Sequence, residues 1–268
     1  GRGARYSSRR GVDRAGRKRA SRSSGFVGLK IWLNRLPSAF PRTSVAFDAA
    51  GFEPIAISCL QACPLDVSLH PAIVDFDRFS DVVVTSPETA HLLIDAILGR
   101  WTQWPDSQTF WAVGPGTAQI LNSEIRSVRE GSEPGSSSLI EQMQREVHAQ
   151  SRIVVASGQG SGRQFDGLNQ LVDDPVVHLE LFALESCLQP SDLDVSEITA
   201  IVHGSAALLK AFVDTAVSQR VDITPTLHFV TSSDAKEQLP SGSRYYQINA
   251  PTSDAVELAM QGEPSVKA

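Results

Sequence analysis

Four short blocks recur in the same order along the chain at an almost constant offset, and this repetition restricts the fold more than any other feature. Ile31-Trp32-Leu33-Asn34-Arg35 and Ile153-Val154-Val155-Ala156-Ser157 are apolar runs that end at a polar turn. Val82-Val83-Val84-Thr85-Ser86 returns as Ile201-Val202-His203-Gly204-Ser205, and Trp111-Ala112-Val113-Gly114-Pro115 as His228-Phe229-Val230-Thr231-Ser232. Pro134 and the serines after it return as Pro251-Thr252-Ser253. Partner blocks stand 117 to 122 positions apart. Chance does not keep four blocks in register, so the 268 residues read as two copies of one unit.

Each block has the form of a buried strand followed by a helix. The strands are continuously apolar, as parallel strands covered on both faces must be. After Val84, Ser86 is placed to cap a helix and Pro87 is preset at its first position. His91 to Leu98 then supplies an amphipathic run. Ser138-Leu139-Ile140-Glu141 has the spacing of a capping box, and Asp254 puts a carboxylate in the first turn of the last helix. The predicted class is α/β, with two similar doubly wound parallel sheets, one per repeat.

In such sheets ligands bind beyond the C-terminal ends of the strands. Those ends are Arg35, Thr85-Ser86, Gly114-Pro115, Ser157-Gly158, Gly204-Ser205 and Thr231-Ser232. Small polar residues at helix starts expose backbone N–H groups, which suits an anion. The same residues cap helices in any α/β protein, so the functional reading rests on the set converging.

Charge is divided sharply. Of 24 Lys and Arg, nine lie between Arg2 and Arg22, facing the single Asp13. The remainder of the chain therefore carries a formal charge of about −14, although the total is only −6. Residues 1–25 have too little apolar content to pack and are expected to be a disordered basic leader. They read as an organellar transit peptide, a weak nucleic-acid contact, a misplaced start or an appendage outside the chemistry. So acidic a body argues against nucleic acid as a partner. No apolar run reaches the ~20 residues needed to span a bilayer, so no membrane partner is expected. Cys59, Cys63 and Cys187 are an odd number without a disulfide pattern, which points to a reducing, cytoplasmic setting. No second ligand pair follows Cys59 and Cys63, so no metal is expected.

These segments resemble the uroporphyrinogen-III synthase family over roughly residues 29–262. The family's first strand ends in a Thr-Arg pair, here Asn34-Arg35, and a Gly-Phe-Glu turn follows, here Gly51-Phe52-Glu53. Its Thr-Ser-Pro turn stands intact as Thr85-Ser86-Pro87, and its Val-Gly-Pro-x-Thr-Ala block is Val113 to Ala118. A Gly-Arg pair after the fifth strand is Gly162-Arg163. The second Thr-Ser-Pro turn is degraded to His203-Gly204-Ser205, where His203 reads as a buried structural histidine rather than a proton donor.

The resemblance implies two flavodoxin-like domains of the HemD type, joined by a two-stranded antiparallel ladder that the chain crosses twice. Residues 53–63 and 176–188 would form the ladder. Residues 64–175 would be an inserted α/β domain, and 26–52 plus 189–268 a discontinuous one. The implied reaction closes hydroxymethylbilane, a linear tetrapyrrole with eight carboxylates, with loss of water and inversion of the terminal pyrrole. It needs no cofactor and is carried out by a monomer. The implied substrate-binding set is Arg35, Thr85, Ser86, Gly114, Thr117, Gly158, Arg163, Ser205 and Ser232. The family tyrosine thought to assist departure of the water falls at Phe182, which lacks the hydroxyl. Tyr246, just before the last helix, is the alternative phenol. In an open cleft, Phe182→Tyr would cost no stability and would raise turnover.

Two other readings stand beside this one. A catalytically weak or inactive tetrapyrrole-binding homologue would keep the cleft and lose the chemistry with the tyrosine. A dinucleotide-binding protein would use Gly158-Gln159-Gly160-Ser161-Gly162, with Glu180 as the acid, although the third glycine comes one position early for that fingerprint.

Overall fold

The computed structural model describes residues 28–102, 104, 107–125, 127–132, 135–189 and 193–268. The basic leader and Pro134 lie outside the described residues. The chain forms two six-stranded sheets.

The first sheet contains β1 (Lys30–Asn34), β2 (Glu53–Ala56), β9 (Ala200–His203), β10 (Leu227–Val230), β11 (Arg244–Gln247) and β12 (Ser265–Val266). Its order is β2-β1-β9-β10-β11-β12, parallel except for the last strand. The second contains β3 (Leu60–Pro64), β4 (Asp81–Val84), β5 (Thr109–Ala112), β6 (Val128–Glu130), β7 (Ile153–Gly158) and β8 (Val177–Ser186). Its order is β3-β8-β7-β4-β5-β6, parallel except for β3.

Helices cover both faces of each sheet, which is why β4, β7 and β9 are buried along their whole length. In the first sheet, α1 (Phe40–Ala49) and α8 (Ser253–Ala259) cover one face, burying Phe47, Phe229 and Val256. On the other face α6 (Ala206–Gln219) buries Trp32, Leu209 and Phe212. α7 (Ser233–Lys236) follows β10. In the second sheet, α2 (Pro71–Val74), α3 (Pro87–Arg100) and α4 (Pro115–Glu124) pack Ile73, Leu93 and Leu121 around Phe110. Opposite them, α5 (Ser136–Glu146) and the 3-10 helix Arg163–Gln170 bury Met143 and Phe165 against Trp111.

The expectation of one sheet per repeat is corrected. β1 and β2 of the first copy join β9, β10 and β11 of the second, while β4, β5 and β6 of the first copy join β7 and β8 of the second. Each sheet is thus half of one copy completed by half of the other. Numbered by place within a copy, both show the order 2-1-3-4-5 of a doubly wound sheet, although in chain order the second sheet's parallel strands run 5-4-1-2-3.

The antiparallel ladder is shorter than expected. Glu53–Ala56 pairs in parallel with β1, so antiparallel pairing runs only from Leu60↔Ser186 to Pro64↔Phe182. The N-terminal part of β8 is an ordinary parallel neighbour of β7. Between β2 and β3 the chain crosses from one lobe to the other, pinned by Trp32 Nε1–H donating to the Ile57 carbonyl at 2.7 Å. The returning chain crosses beside it, with Cys187 N–H donating to the Cys59 carbonyl at 3.1 Å. Burial pushes the Cys59 thiol up to about 12.

Local signals mostly hold. Gly51 ends α1 with φ +93, and Phe52 N–H reaches the Phe47 carbonyl at 3.1 Å while Gly51 N–H reaches that of Asp48 at 2.9 Å. This is a Schellman closure, completed by the Phe47–Phe52 ring contact. Asp254 does sit in the first turn of α8. The capping box is misplaced: α5 starts three residues earlier, with Gly135 at φ +127 as its cap and Ser138 already helical.

Candidate functional site

The C-terminal ends of the parallel strands carry the expected turns, and at most of them the serines first serve their own helices. Ser86 Oγ accepts from Thr89 N–H at 3.1 Å, Ser205 Oγ from Leu208 N–H at 3.3 Å and Ser232 Oγ from Ala235 N–H at 3.1 Å. Capping uses a lone pair and leaves the hydroxyl proton. In Ser86 that proton lies within reach of Thr89 Oγ1 at 2.8 Å, and Thr85 Oγ1 is 3.3 Å from the same atom. Ser205 has no second partner of this kind among the described residues. Gly114 caps α4 through its backbone alone. Thr117, in the first turn of α4, is buried rather than presented to solvent.

In a doubly wound sheet the crevice opens where neighbouring strands send their chains to opposite faces. Here that is between β1 and β9 in one sheet and between β7 and β4 in the other. At the first, Arg35 is half-buried and lies over Gly204, whose missing side chain makes room: a Cβ there would stand 3.2 Å from Arg35 Cγ. Arg35 Nη1 donates to Thr43 Oγ1 at 3.1 Å and to the Pro251 carbonyl at 3.3 Å. Both acceptors are neutral. Burial, with the nearby Arg42 charge, draws the Arg35 pKa down, and no carboxylate pairs with it among the described residues.

Beneath Arg35 the strand ends are fixed by a buried chain of hydrogen bonds. Asn34 Nδ2 donates to the Leu208 carbonyl at 2.9 Å and contacts His203 Nδ1 at 3.0 Å. His203 Nε2 lies 3.2 Å from His228 Nδ1, and His228 Nε2 3.1 Å from the Ile223 carbonyl. His203 is therefore structural, as expected.

At the second crevice, Gly158 is buried and the Phe182 ring presses on it. A Cβ at Gly158 would meet the ring carbons at 2.7 and 2.8 Å. Phe182 is 5% exposed and belongs to the hydrophobic core of the second sheet. It is not an open cleft position, which removes the basis for expecting Phe182→Tyr to be neutral. Arg163 is exposed on its 3-10 helix, without an ion pair among the described residues. Tyr246 is also displaced from the site. Its ring stacks on Phe229 and its hydroxyl donates to the Gly262 carbonyl at 2.6 Å, so it is committed within the face of the first sheet.

The glycine-rich loop is occupied by its own chain. Glu180 Oε1 accepts from Gly160 N–H at 2.7 Å and the Phe182 carbonyl from Gln159 N–H at 2.8 Å. A carboxylate already sits where a dinucleotide phosphate would need those N–H groups, and the loop opens a 3-10 rather than an α-helix. Around Gly162, the Ser157 hydroxyl, His178 and Asp166 come together, with His178 Nε2 2.9 Å from Asp166 Oδ1. Ser157 is fully buried, so no substrate reaches it. Two cavities of about 510 and 460 Å³ lie elsewhere, beside α6 and beside α3.

A sequence model of the uroporphyrinogen-III synthase HemD family matches residues 41–239. The chain belongs to the uroporphyrinogen-III synthase family. Among solved structures, that of uroporphyrinogen-III synthetase from Helicobacter pylori 26695 is 12% identical and covers 88% of this chain and 99% of its own, with a TM-score of 0.56. At that identity it supports the HemD-type fold alone. The Thermus thermophilus uroporphyrinogen III synthase is 14% identical, covering 87% of this chain and 98% of its own, with a TM-score of 0.41. No curated protein sequence matches the chain.

Arg42 is a residue that none of the motifs includes. It lies on α1 of the first lobe, yet its Nη1 donates to Gln119 Oε1 on α4 of the second at 3.1 Å. The available signal was its position: a cation three residues into a helix opposes the dipole.

Proposed function

We propose that this chain is an active uroporphyrinogen-III synthase, a cyclising lyase. It would take hydroxymethylbilane, remove the terminal hydroxyl as water, invert the last pyrrole through a spiro intermediate and close the ring. The observation that carries this reading within the family is Arg35. A half-buried guanidinium with only neutral partners, at the switch point of a doubly wound sheet, is suited to a carboxylate of the substrate. Ser205, beside it, keeps a proton to donate, and the Thr85–Ser86 turn offers the same chemistry from the other lobe. Such donors favour loss of hydroxide and hold the resulting cation so that closure occurs at one carbon.

A body of about −14 repels an octa-anion at long range. Charge-assisted bonds of ~1.5–3 kcal/mol each offset this at contact distance. The enzyme would act as a monomer in a reducing compartment such as the cytoplasm, and no helix among the described residues is long and apolar enough to cross a membrane. A coupled assay with freshly made hydroxymethylbilane tests the reading. The III isomer should dominate without added cofactor. A product mixture identical to the enzyme-free control, which closes to the I isomer, overturns activity and leaves the binding-only homologue.

A further inference from the structure

The first turn of α1 holds a cation where local physics favours an anion. Arg42 is the third residue of the helix, at the positive end of the dipole, and no acidic residue stands in that turn. It is exposed, and its hydrogen-bond partner among the described residues is the neutral Gln119 of the opposite lobe. Arg35 reaches toward the same turn, since its acceptor Thr43 is the residue next to Arg42. The two charges are close enough for Arg42 to lower the Arg35 pKa further after burial has done so. Among the described residues neither guanidinium pairs with a carboxylate. A chain with a large acidic excess thus gathers two arginines and leaves both uncompensated. A local rule broken for the gain of one exposed, neutral hydrogen bond points to a site built for something absent.

We infer that Arg42 is a second substrate-binding guanidinium, which together with Arg35 holds carboxylates of one tetrapyrrole at the contact between the lobes. This rests on the function proposed above and adds a residue that no motif of the chain marks. Arg42 already spans from α1 to α4, so an anion bound there touches both lobes. Its charge also removes the repulsion between the two arginines, and this favours polycarboxylates over singly charged ligands.

Fluorescence titration of the full chain with uroporphyrin, the eight-carboxylate macrocycle, tests this. Three variants are compared with the parent: Arg42→Gln, Arg42→Lys, and Arg145→Gln, which removes an exposed charge from α5. Arg42→Gln should weaken binding by about 10- to 100-fold at unchanged melting temperature. Arg42→Lys should keep most of the affinity, and Arg145→Gln all of it. Parental affinity in Arg42→Gln overturns the inference, and so does an equal loss in Arg145→Gln, which would make the effect one of overall charge. In either case the parent's turnover to the III isomer would leave the proposed function standing. A parent that binds no uroporphyrin and yields no III isomer overturns both.

Discussion

At the ends of β9 and β10 two histidine rings lie stacked, 5.4 Å apart and buried, with every ring nitrogen spoken for. Asn34 Nδ2 can only donate, so His203 accepts at Nδ1 and donates from Nε2 to His228, which donates in turn to Ile223. Both rings are neutral in this arrangement. Burial holds the His203 pKa well below its usual value and draws that of His228 from 6.5 to about 4. Folded-state values below the unfolded ones mean that stability is complete above about pH 6.5 and declines as pH falls toward 4, where the unfolded chain binds the extra protons. For His228 alone the loss approaches roughly 3 kcal/mol. Thermal melts from pH 7.5 to 4 should show this decline, and His228→Gln should flatten it; a parent whose melting temperature is constant over the range contradicts the arrangement. Phe182 belongs to the same scale. With its ring against Gly158, a tyrosine hydroxyl enters a closed environment, so Phe182→Tyr should cost ~1–3 kcal/mol. Equal stability with faster turnover would instead open that position to the cleft.

Among the elements, the strand-to-helix turns were the most legible part of the sequence, because a capping serine or a proline acts on its own neighbours. Ser86, Ser205 and Ser232 cap where they were expected to. That a turn faces a ligand is not local information, which is why neither the burial of Thr117 nor the commitment of the Tyr246 hydroxyl to Gly262 could be read from the motifs. Glycines at two strand-to-helix turns separate these levels. Gly158→Ala drives a Cβ into the Phe182 ring at 2.7 Å, and core packing leaves that ring little room to withdraw, so ~1–3 kcal/mol should be lost. Gly114→Ala meets nothing within 4 Å and has an extended backbone, so it should be nearly silent. Chemical denaturation of the pair checks the contrast. Equal midpoints would mean that the Gly158 turn yields freely.

For the whole molecule, two copies of a unit were legible in the repeat, and the exchange between them only through the family resemblance. Equivalent strands offer equivalent apolar faces, so periodicity cannot tell which copy a strand completes. The crossings decide this, and they depend on tertiary pairing at Leu60–Pro64. Because all six strands of the second sheet lie between Leu60 and Ser186, a fragment of residues 57–189 should unfold cooperatively by circular dichroism. The chain cut near residue 147 should give two pieces that fold separately into neither lobe. A folded N-terminal piece would refute the exchange. The position of β1 also sets a timetable for synthesis. That strand is central and apolar, with Trp32 and Leu33 fully covered in the finished lobe, and β2 follows it at once, yet its other neighbour β9 begins 170 residues later. At ~5–20 residues per second it waits about 8–34 s for that partner, while the inserted lobe is already complete. Until then the edge of β1 that β9 will cover stays open and sticky, and cells slow in chaperone supply should lose this protein at birth rather than after folding.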